Sequence, residues 1–386
     1  MYIKRDAEML LERYTHQYPV VTVTGPRQSG KTTLCRNLFP NKKYVSLEEL
    51  DNRNYAITDP RGFLSEYSNG IIDEIQRVPD LLSYIQGIVD KNQIKGEYIL
   101  TGSSQLELTK GVSQSLAGRT ALIKLFPFSY TEIYDRSEPS PDWVNSVLYR
   151  GFYPRIHSDN LDAAEAISSY IETYIERDVR QFYEVKDLHL FQRFLQLCAG
   201  RTGQLLNYSN IAGDCGISVS TVQNWISVLE QSFILYRLPP FFSNVKKRLV
   251  KTPKIYFYDV GLCAYLNGAR CVEHIKALPN RGSIFENFII SEVIKTDAHN
   301  SLKNTFYFFR DKMGKEVDLI IDKGLEAIPV EIKAGHTFNE EFTKNLQYYA
   351  KLTKKENLGT LVYSGKSQQR TKLNIYNYMD FFQNIT

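Results

Sequence analysis

Residues 19–32 read Pro-Val-Val-Thr-Val-Thr-Gly-Pro-Arg-Gln-Ser-Gly-Lys-Thr and carry the strongest structural signal in this chain of 386 residues. The first six are dominated by β-branched side chains, as in a strand buried on both faces of a parallel sheet. Residues 31–38 continue as a helix, and the loop before them fits the pattern GxxxxGK(S/T). A strand, a glycine-containing loop and a helix in this order predict backbone N–H groups that surround an anion at the helix N-terminus.

Further strands and helices alternate on the C-terminal side of this loop. Apolar runs at 44–47, 70–73 and 98–101 predict three more strands, and helical patterns occupy residues 60–67 and 80–92. Strands that alternate with helices predict βαβ units around a parallel sheet. The fold class expected for this part of the chain is therefore α/β, with a P-loop nucleoside triphosphatase core and a parallel sheet.

The glycine-containing loop predicts ATP as the ligand and Mg²⁺ as its metal ion. Lys31 is expected to reach the β- and γ-phosphates, and the Thr32 hydroxyl is expected to ligate Mg²⁺. A chance match is disfavoured, because a strand precedes the motif and a helix follows it. The expected nucleotide-binding residues are Gly25, Pro26, Arg27, Gln28, Ser29, Gly30, Lys31, Thr32 and Thr33.

A pair of carboxylates at the end of the 70–73 strand predicts the hydrolytic residues. Asp73 is expected to hold the Mg²⁺ shell together with Thr32. Glu74 is expected to polarise the attacking water, a general-base role that needs a carboxylate beside the γ-phosphate. These assignments predict an ATP hydrolase with Lys31 and Glu74 among its catalytic residues.

Polar residues after the fourth strand and a downstream arginine are further catalytic candidates. Ser103 and Ser104 follow residues 98–101, where a polar side chain can orient the water and sense the γ-phosphate. Arg119 is a candidate to stabilise transition-state charge, in its own subunit or across a subunit interface. Arg177 is a rival for that role, and a solvated surface position explains either arginine equally well.

These motifs resemble a prokaryotic family of AAA-type P-loop ATPases that carry a C-terminal domain of uncharacterised function. The N-terminal resemblance rests on the P-loop, on IIDEIQRVP at 71–79, on LTGSS at 100–104 and on AGR at 117–119. The C-terminal half resembles that domain at 251–262, at 285–287 and at 316–318. The resemblance covers nearly the whole chain, and it implies ATP binding with hydrolysis.

A helix–turn–helix pattern followed by a strand lies in the middle of the chain. Residues 209–215 and 218–230 read as two helices, and residues 233–238 read as a strand. This is the order of a winged helix, whose second helix would offer to a DNA major groove the polar side chains of Ser220, Thr221, Gln223 and Asn224. That face has no lysine or arginine, although phosphate contacts dominate DNA affinity. We therefore favour a packing role over direct reading of DNA.

A basic run keeps DNA among the candidate partners. Five basic residues lie between 246 and 254 with no acidic residue among them: Lys246, Lys247, Arg248, Lys251 and Lys254. Five phosphate contacts would support non-specific, salt-sensitive binding. A solvated basic turn before a strand would have the same composition.

Charged residues on two strands near the C-terminus predict a second site. Residues 315–321 and 327–333 read as a hairpin, in which Glu331 and Lys333 share a face because side chains alternate along a strand. Asp318 is expected near that face, so that two carboxylates can hold Mg²⁺ while the lysine orients or deprotonates a water. Glu286, on the helix that opens this domain, would complete the site.

This Asp…Glu-x-Lys pattern resembles the core of restriction-endonuclease-like nucleases. It predicts that fold more strongly than it predicts activity, because the metal geometry cannot be read from a sequence. A charged edge strand would look the same.

The composition predicts a soluble cytoplasmic protein without a membrane partner. Hydrophobic residues make up 43% and charged residues 23%, which excludes wholesale disorder and collagen-like repetition. No apolar run approaches the ~18 residues of a membrane helix, and no apolar signal segment opens the chain. The five cysteines are odd in number and form no CxxC, which fits a reducing compartment. The net charge is only +4, so nucleic-acid binding would need a local patch.

We expect four parts along the chain. They are a P-loop AAA-type ATPase core at 1–135, a helical lid or linker at 136–200, a winged-helix-like part at 201–250 and a restriction-endonuclease-like α/β domain at 251–386. The expected function is an ATPase whose hydrolysis changes the conformation of C-terminal DNA- or protein-interacting domains. An ATP-dependent nuclease and a nucleotide-switched DNA-binding regulator are the alternatives, and a homo-oligomer is a candidate assembly.

Overall fold

The computed structural model describes residues 2–103, 115–134, 142–175, 187–241 and 252–385. The chain divides into two compact units. The first comprises residues 1–128 with 231–233 and 298–301, and the second comprises residues 129–230, 234–297 and 302–386. Among the described residues, no helix is long and apolar enough to span a membrane.

The first unit is a parallel sheet covered by helices. Its strands are β1 (Val20–Thr24), β2 (Lys43–Ser46), β3 (Gly70–Asp73), β4 (Tyr98–Gly102) and β5 (Thr120–Lys124). Its helices are α1 (Glu8–Gln17), α2 (Lys31–Leu38), α3 (Leu50–Thr58), α4 (Pro60–Glu66) and α5 (Leu81–Asn92), with a 3₁₀ turn at Ile75–Arg77. The strand order is β2-β3-β4-β1-β5, and all neighbouring strands are parallel. The α/β fold class with a parallel P-loop core is therefore confirmed.

Two apolar cores lie on the two faces of this sheet. Val21 and Val23 of β1 pack in one core with buried residues of α1 and α2. Val20 belongs to the other core, which α3, α4 and α5 supply. Because successive side chains of a strand point to opposite faces, the three valines of β1 contribute to both cores. Because β1 runs parallel to its neighbours, its end and the loop that follows it lie at the carboxyl edge of the sheet.

The edge strand β5 was not predicted from the sequence. Ala121 and Ile123 are buried, whereas Leu122 between them is 48% exposed. A strand with one solvated face has too few apolar residues to form a continuous run, and five residues give only a short alternation.

The second unit contains a helical part, a two-stranded hairpin and a mixed sheet. The helices that begin in it are α6 (Tyr130–Ile133), α7 (Trp143–Arg150), α8 (Pro154–Ser158), α9 (Ala163–Tyr170), α10 (Leu188–Gly200), α11 (Tyr208–Cys215), α12 (Val219–Gln231), α13 (Val260–Leu266), α14 (Val272–Ala277), α15 (Arg281–Asn300), α16 (Lys344–Thr353) and α17 (Tyr378–Gln383). A π-helical turn follows α9 at Ile171–Ile175, and a 3₁₀ turn precedes α16 at Glu340–Thr343.

Two sheets complete this unit. The strands are β6 (Leu235–Leu238), β7 (Lys254–Phe257), β8 (Thr305–Arg310), β9 (Glu316–Asp322), β10 (Ala327–Lys333), β11 (Gly359–Tyr363), β12 (Gln368–Arg370) and β13 (Leu373–Asn377). β6 and β7 form an antiparallel pair. The other strands form a mixed sheet in the order β12-β13-β11-β10-β9-β8. The expected hairpin is present as β9 and β10, which pair antiparallel with Val330 opposite Leu319.

The middle of the chain has the expected order of elements. The Thr221 backbone N–H donates to Ser218 Oγ at 3.0 Å, which caps the start of α12. Ser220, Gln223 and Asn224 are exposed as expected, while Thr221 is half-buried. The hairpin partner of β6 is β7, so the sheet of this part extends past the expected boundary at residue 250. The four-part division itself stays a prediction.

Candidate functional site

The P-loop follows the carboxyl end of β1 and leads into α2. A Cβ added at Gly25, whose φ is +155°, would lie 2.0 Å from the Leu125 carbonyl oxygen, so only glycine fits there. Gly30 has a φ of +89° and precedes the first residue of α2. Arg27 and Gln28 are half-buried between these glycines, and Thr33 is exposed on α2. The loop therefore has the backbone shape that the sequence predicts, with its N–H groups at a helix N-terminus.

Lys31 is buried beneath this loop. Its Nζ donates to the carbonyl oxygens of Gly25 at 3.0 Å and of Pro26 at 2.8 Å. Burial lowers the pKa of Lys31 to about 8, although Glu74 and Asp73 raise it. A phosphate group beside the amine would favour its charged form. The amine is thus placed to exchange two carbonyl partners for phosphate oxygens.

Asp73, at the end of β3, accepts hydrogen bonds from three hydroxyl groups. Thr32 Oγ1 and Tyr44 OH each donate to Asp73 Oδ2 at 2.9 Å. Thr101 Oγ1 donates to Asp73 Oδ1. The structure thus brings together the two predicted metal residues, Thr32 and Asp73. A hydroxyl and a carboxylate are oxygen ligands of the kind that Mg²⁺ prefers, so this pair fits the ion.

Glu74 lies beside the predicted water-orienting serine. Ser103 Oγ donates to Glu74 Oε2 at 3.2 Å, and Gln76 Nε2 donates to the same oxygen. Glu74 has a φ of +56°, a left-handed conformation that is costly for a residue with a side chain and that clusters at functional sites. Ser104, the equal candidate, lies outside the described residues.

Arg119 lies at the opposite edge of the sheet from the P-loop. Its carbonyl oxygen accepts from the backbone N–H of Val20, the first residue of β1, whereas the P-loop follows the last residue of that strand. The guanidinium is paired with Asp90, with Nε 2.5 Å from Oδ1. Arg119 therefore does not reach the phosphates of its own subunit, and its role across an interface stays a prediction. Arg177 lies outside the described residues.

Arg5 is a residue of this site that the sequence reasoning missed. The side chain is 4% exposed, and it donates to the carbonyl oxygens of Ser29 and Phe126, both at 2.8 Å. The guanidinium also lies 4.7 Å from the centroid of the Phe128 ring. Arg5 therefore ties the P-loop backbone to the segment after β5. The sequence reasoning missed Arg5 because its partners are backbone carbonyl groups far along the chain, and no sequence motif predicts such contacts.

Replacing Arg5 by Met is expected to lower the free energy of unfolding by about 2–4 kcal/mol, because two buried carbonyl groups lose their donors. ATP affinity should fall as well, since the P-loop backbone is no longer held at Ser29. Urea unfolding and nucleotide titration measure the two effects. Arg5→Lys keeps the charge and one donor, so it should recover part of both. Wild-type ATP affinity in Arg5→Met would contradict the positioning role.

A second group of ionisable side chains lies in the other unit, on the hairpin of β9 and β10. Lys333 Nζ is 2.7 Å from Glu331 Oε1 and 3.6 Å from Asp318 Oδ2. The backbone N–H of Ile332 donates to Asp318 Oδ2 at 2.8 Å. Burial and the neighbouring Asp318 together raise the pKa of Glu331 to about 8, against the effect of Lys333. The predicted face therefore exists, with both carboxylates and the lysine on it.

Glu286 on α15 faces the same group. Its Oε1 accepts from Tyr256 OH at 2.5 Å and from Lys254 Nζ at 3.2 Å. Burial raises the pKa of Glu286 to about 7, against the effect of Lys254. Lys254 also pairs with Glu316. We call Glu286, Glu316, Asp318 and Glu331 the carboxylate cluster.

Lys254 corrects one prediction about the basic run. Its side chain is only 3% exposed and is engaged by two carboxylates, so it does not offer its charge to a DNA phosphate. The burial and pairing of Lys254 could not be predicted from the sequence, because both partners lie far along the chain, on α15 and β9. The other four basic residues, Lys246, Lys247, Arg248 and Lys251, lie outside the described residues.

The carboxylate cluster has donor atoms suited to a divalent cation. Among the described residues, Glu331 Oε2 is buried without a hydrogen-bond partner, while Oε1 accepts from Lys333 and Asn345. A buried carboxylate oxygen without a hydrogen-bond partner costs folding free energy unless a positive charge or a proton neutralises it. Carboxylate oxygens are the type of ligand that Mg²⁺ or Mn²⁺ prefers. In the part of the chain that the structure describes, however, no three carboxylates of this cluster bring their oxygens within 4.8 Å of one another.

Three family models match successive parts of the chain. A family described as an AAA domain matches residues 17–134. Two domains of unknown function match later parts of the chain, DUF8612 at residues 142–271 and DUF4143 at residues 281–381. The first match agrees with the parallel sheet, the P-loop and the Thr32–Asp73 pair. The N-terminal part of this chain is therefore a P-loop ATPase domain of the AAA type.

Similar proteins span most of the chain. The uncharacterized proteins Rv2008c of Mycobacterium tuberculosis and Mb2031c of Mycobacterium bovis are each 31% identical over 338 residues, which cover 86% of this chain and 74% of theirs. An uncharacterized protein of Haemophilus influenzae is 21% identical, covering 92% of this chain and 91% of its own. This chain belongs to the family of the two mycobacterial proteins.

Solved structures resemble the chain more distantly. The Walker-type ATPase PABY2304 of Pyrococcus abyssi has a TM-score of 0.46 at 15% identity, covering 69% of this chain and 96% of its own. AMPPCP-bound DnaA from Aquifex aeolicus has a TM-score of 0.30 at 15% identity, covering 58% and 85%.

Proposed function

We propose that this protein binds ATP with Mg²⁺ and hydrolyses it at the P-loop site. The observation that carries the proposal is the meeting of Thr32 and Asp73, whose oxygens lie 2.9 Å apart beside the buried Lys31. A P-loop without a carboxylate at this position could bind phosphate but would lack a support for the metal shell. The AAA-domain family match over the same residues supports the proposal.

Each side chain has a role that its position supports. The P-loop N–H groups and the Lys31 amine bind and orient the phosphates. Mg²⁺, when bound, neutralises phosphate charge, and Thr32 and Asp73 are the residues that would hold it. Glu74 Oε2 takes the proton of the attacking water. Ser103 and Gln76 orient that carboxylate through their hydrogen bonds to the same oxygen.

ATP turnover measured with single- and double-stranded DNA, and without DNA, tests this proposal. We expect Mg²⁺-dependent release of phosphate, and a protein that binds no ATP would contradict the proposal. Any stimulation by DNA should weaken with salt, because phosphate contacts release counterions. Following the DNA itself in the same reactions shows whether it is cleaved.

Coupling of hydrolysis to the second unit is part of this proposal. The order of α10, α11, α12 and the β6–β7 hairpin supports a winged-helix-like part, and its polar exposed residues support protein or DNA contact through α12. Fast turnover would favour a coupled ATPase, whereas slow turnover with tight ATP binding would favour a nucleotide-switched regulator.

The odd number of cysteines without CxxC supports a cytoplasmic location.

A metal-dependent nuclease is the second candidate function, and the carboxylate cluster favours it. Asp318 and Glu331 would hold a divalent cation, with Glu286 as a further ligand. Lys333, 2.7 Å from Glu331, would orient the attacking water. Within the residues that the structure describes, Glu331 Oε2 is buried without a hydrogen-bond partner, and this is the specific observation that supports a cation there. The restriction-endonuclease-like fold of this part belongs to the same proposal.

Lys333→Ala separates the two candidate functions. If the cluster is active, Mg²⁺ or Mn²⁺ should support phosphodiester cleavage by the wild-type protein, and this variant should lose it. ATP turnover should stay unchanged, because Lys333 lies in a different unit from the P-loop. DNA cleavage on gels and phosphate release, measured together, provide the comparison. Absence of cleavage by the wild-type protein with either ion would eliminate the nuclease.

A further inference from the structure

The Asp73 carboxylate is held by hydroxyl groups from three different elements. Thr32 of α2 and Tyr44 of β2 both donate to Oδ2 at 2.9 Å, and Thr101 of β4 donates to Oδ1. A carboxylate offers about four acceptor positions, so most of them are already used. Thr32 is the residue expected to ligate Mg²⁺, which leaves Tyr44 and Thr101 to hold the carboxylate itself.

Tyr44 reaches Asp73 diagonally across the sheet. The register of β2 and β3 pairs Tyr44 with Ile71 and Ser46 with Asp73, so the residue directly opposite the carboxylate is Ser46. Tyr44 and Ser46 share a face because side chains alternate along a strand. Ser46 Oγ accepts from the Glu48 backbone N–H at 3.2 Å. The longer tyrosine side chain therefore supplies the hydroxyl that donates to Asp73.

The ring of Tyr44 is restrained on two sides. It is half-buried and packs against the apolar core that α1 and α2 supply. The Arg36 guanidinium lies 4.7 Å from the ring centroid, within the range of a cation–π contact. Arg36 and Thr32 are four residues apart on α2 and so share a helix face. Helix α2 thus contacts Asp73 directly through Thr32 and indirectly through Arg36 and Tyr44.

These contacts determine the orientation of the carboxylate. The terminal torsion of an aspartate side chain has broad minima, so hydrogen bonds must fix the plane of the two oxygens. Mg²⁺ demands nearly ideal octahedral geometry and tolerates little misplacement of the groups around it. Without Tyr44, the hydrogen bonds of the described residues leave Oδ2 with Thr32, which is itself a metal residue.

We propose that Tyr44 is a positioning residue of the nucleotide site, whose hydroxyl holds the Asp73 carboxylate in the orientation that the Mg²⁺ shell needs. This inference rests on the proposed ATPase function, because it takes Thr32 and Asp73 to hold the ion. It adds a residue of β2 that acts on the ion only through Asp73.

Calorimetric titration with a non-hydrolysable ATP analogue, in Mg²⁺ and in EDTA, tests this role. Tyr44→Phe keeps the ring and the Arg36 contact and removes only the hydroxyl. Its affinity for the analogue should fall about tenfold in Mg²⁺, because Asp73 loses a charge-assisted hydrogen bond. Its affinity in EDTA should equal that of the wild type.

Tyr98→Phe is the matched control for this measurement. It removes a buried tyrosine hydroxyl from β4 of the same sheet, where Tyr98 donates to the Leu64 carbonyl oxygen at 3.4 Å. Tyr98 pairs with Val20, the first residue of β1, so it lies at the opposite edge from the P-loop. This variant should bind the analogue as the wild type does under both conditions.

Turnover measured against free Mg²⁺ gives an independent readout. For Tyr44→Phe, the Mg²⁺ concentration that gives half-maximal turnover should rise about tenfold, while the maximal rate stays within about twofold. General damage to the site would lower the maximal rate instead. In an Asp73→Asn background, Tyr44→Phe should cause no further change, because the two residues act as one unit.

The outcomes separate this inference from the function on which it rests. A wild-type protein that binds no analogue, or binds it equally well in EDTA, contradicts the metal site and the inference together. If wild-type binding depends on Mg²⁺ and Tyr44→Phe matches it, the function stands and the inference is wrong. Equal losses in Mg²⁺ and in EDTA, or a further loss in the Asp73→Asn background, would also overturn the inference.

Arg36→Met keeps the proposal testable if Tyr44→Phe does not fold. This variant retains the tyrosine hydroxyl and removes the cation that restrains the ring. Analogue affinity should fall about twofold or more in Mg²⁺ and stay unchanged in EDTA. Wild-type affinity of Arg36→Met in Mg²⁺ would then count against the positioning of Asp73 through Tyr44.

Discussion

Replacing Glu74 by Gln is expected to slow ATP hydrolysis by about 10²–10⁴-fold, the usual contribution of a general base. The amide keeps the size of the side chain and can still hydrogen-bond to Ser103, but it cannot accept a proton from water. Glu74 is not one of the residues that hold the phosphates, so ATP binding should be retained. Phosphate release under saturating ATP measures the first effect, and titration with a fluorescent ATP analogue measures the second.

The two partners of Glu74 provide the control for this prediction. Gln76→Ala and Ser103→Ala each remove one donor to Glu74 Oε2, so they should slow turnover less than Glu74→Gln does. Turnover by Glu74→Gln at the wild-type rate would remove Glu74 from the general-base role. It would leave the metal residues Thr32 and Asp73 unaffected.

Lys31→Ala is expected to weaken ATP binding by about 100-fold or more, because the phosphates lose their charged partner. Hydrolysis at moderate ATP concentration should then be undetectable. Lys43→Ala is the matched control, since Lys43 lies in the same unit, is exposed and donates to the Glu66 carbonyl. Calorimetric titration with ATP and Mg²⁺ measures both variants. Tight ATP binding by Lys31→Ala would contradict the P-loop assignment.

The fold should survive this substitution, with a change in its pH dependence. The pKa of Lys31 falls from 10.5 to about 8 on folding, so between these values the unfolded chain binds more protons than the folded one. Wild-type stability should therefore gain a contribution from this group as the pH rises from about 8 to 10.5. Lys31→Ala should lack that gain, and urea unfolding at several pH values reads it directly.

Much of the nucleotide site could be predicted from the sequence because it is local. The P-loop follows β1, Asp73 is the last residue of β3, and Glu74 comes directly after it. Parallel strands end at the same edge of a sheet, so residues at their carboxyl ends meet there. Ser103 was found by the same reasoning. Arg5, Tyr44 and Gln76 were missed, since their roles depend on which backbone or side-chain group lies opposite, and no spacing rule encodes that.

The second group of charged residues, on β9, β10 and α15, could be predicted from the sequence only in part. The hairpin spacing placed Glu331 and Lys333 on one face and brought Asp318 near them, as the structure has them. Glu286 was chosen as a further ligand from its helix, and it does face the group. The sequence could not assign Lys254, whose charge looked like that of a surface run until its burial against two carboxylates was known.

By itself, the sequence determined the alternation of strands and helices, the P-loop and the acidic residues at the end of β3. These depend on short-range periodicity, on glycine conformations and on where strands end. Only the tertiary structure decided that Arg119 lies at the far edge of the sheet and that Lys254 is a counter-ion rather than a surface charge. The physical reason is that burial and ion pairing depend on residues distant in the chain, and the packing of whole elements determines which of them meet.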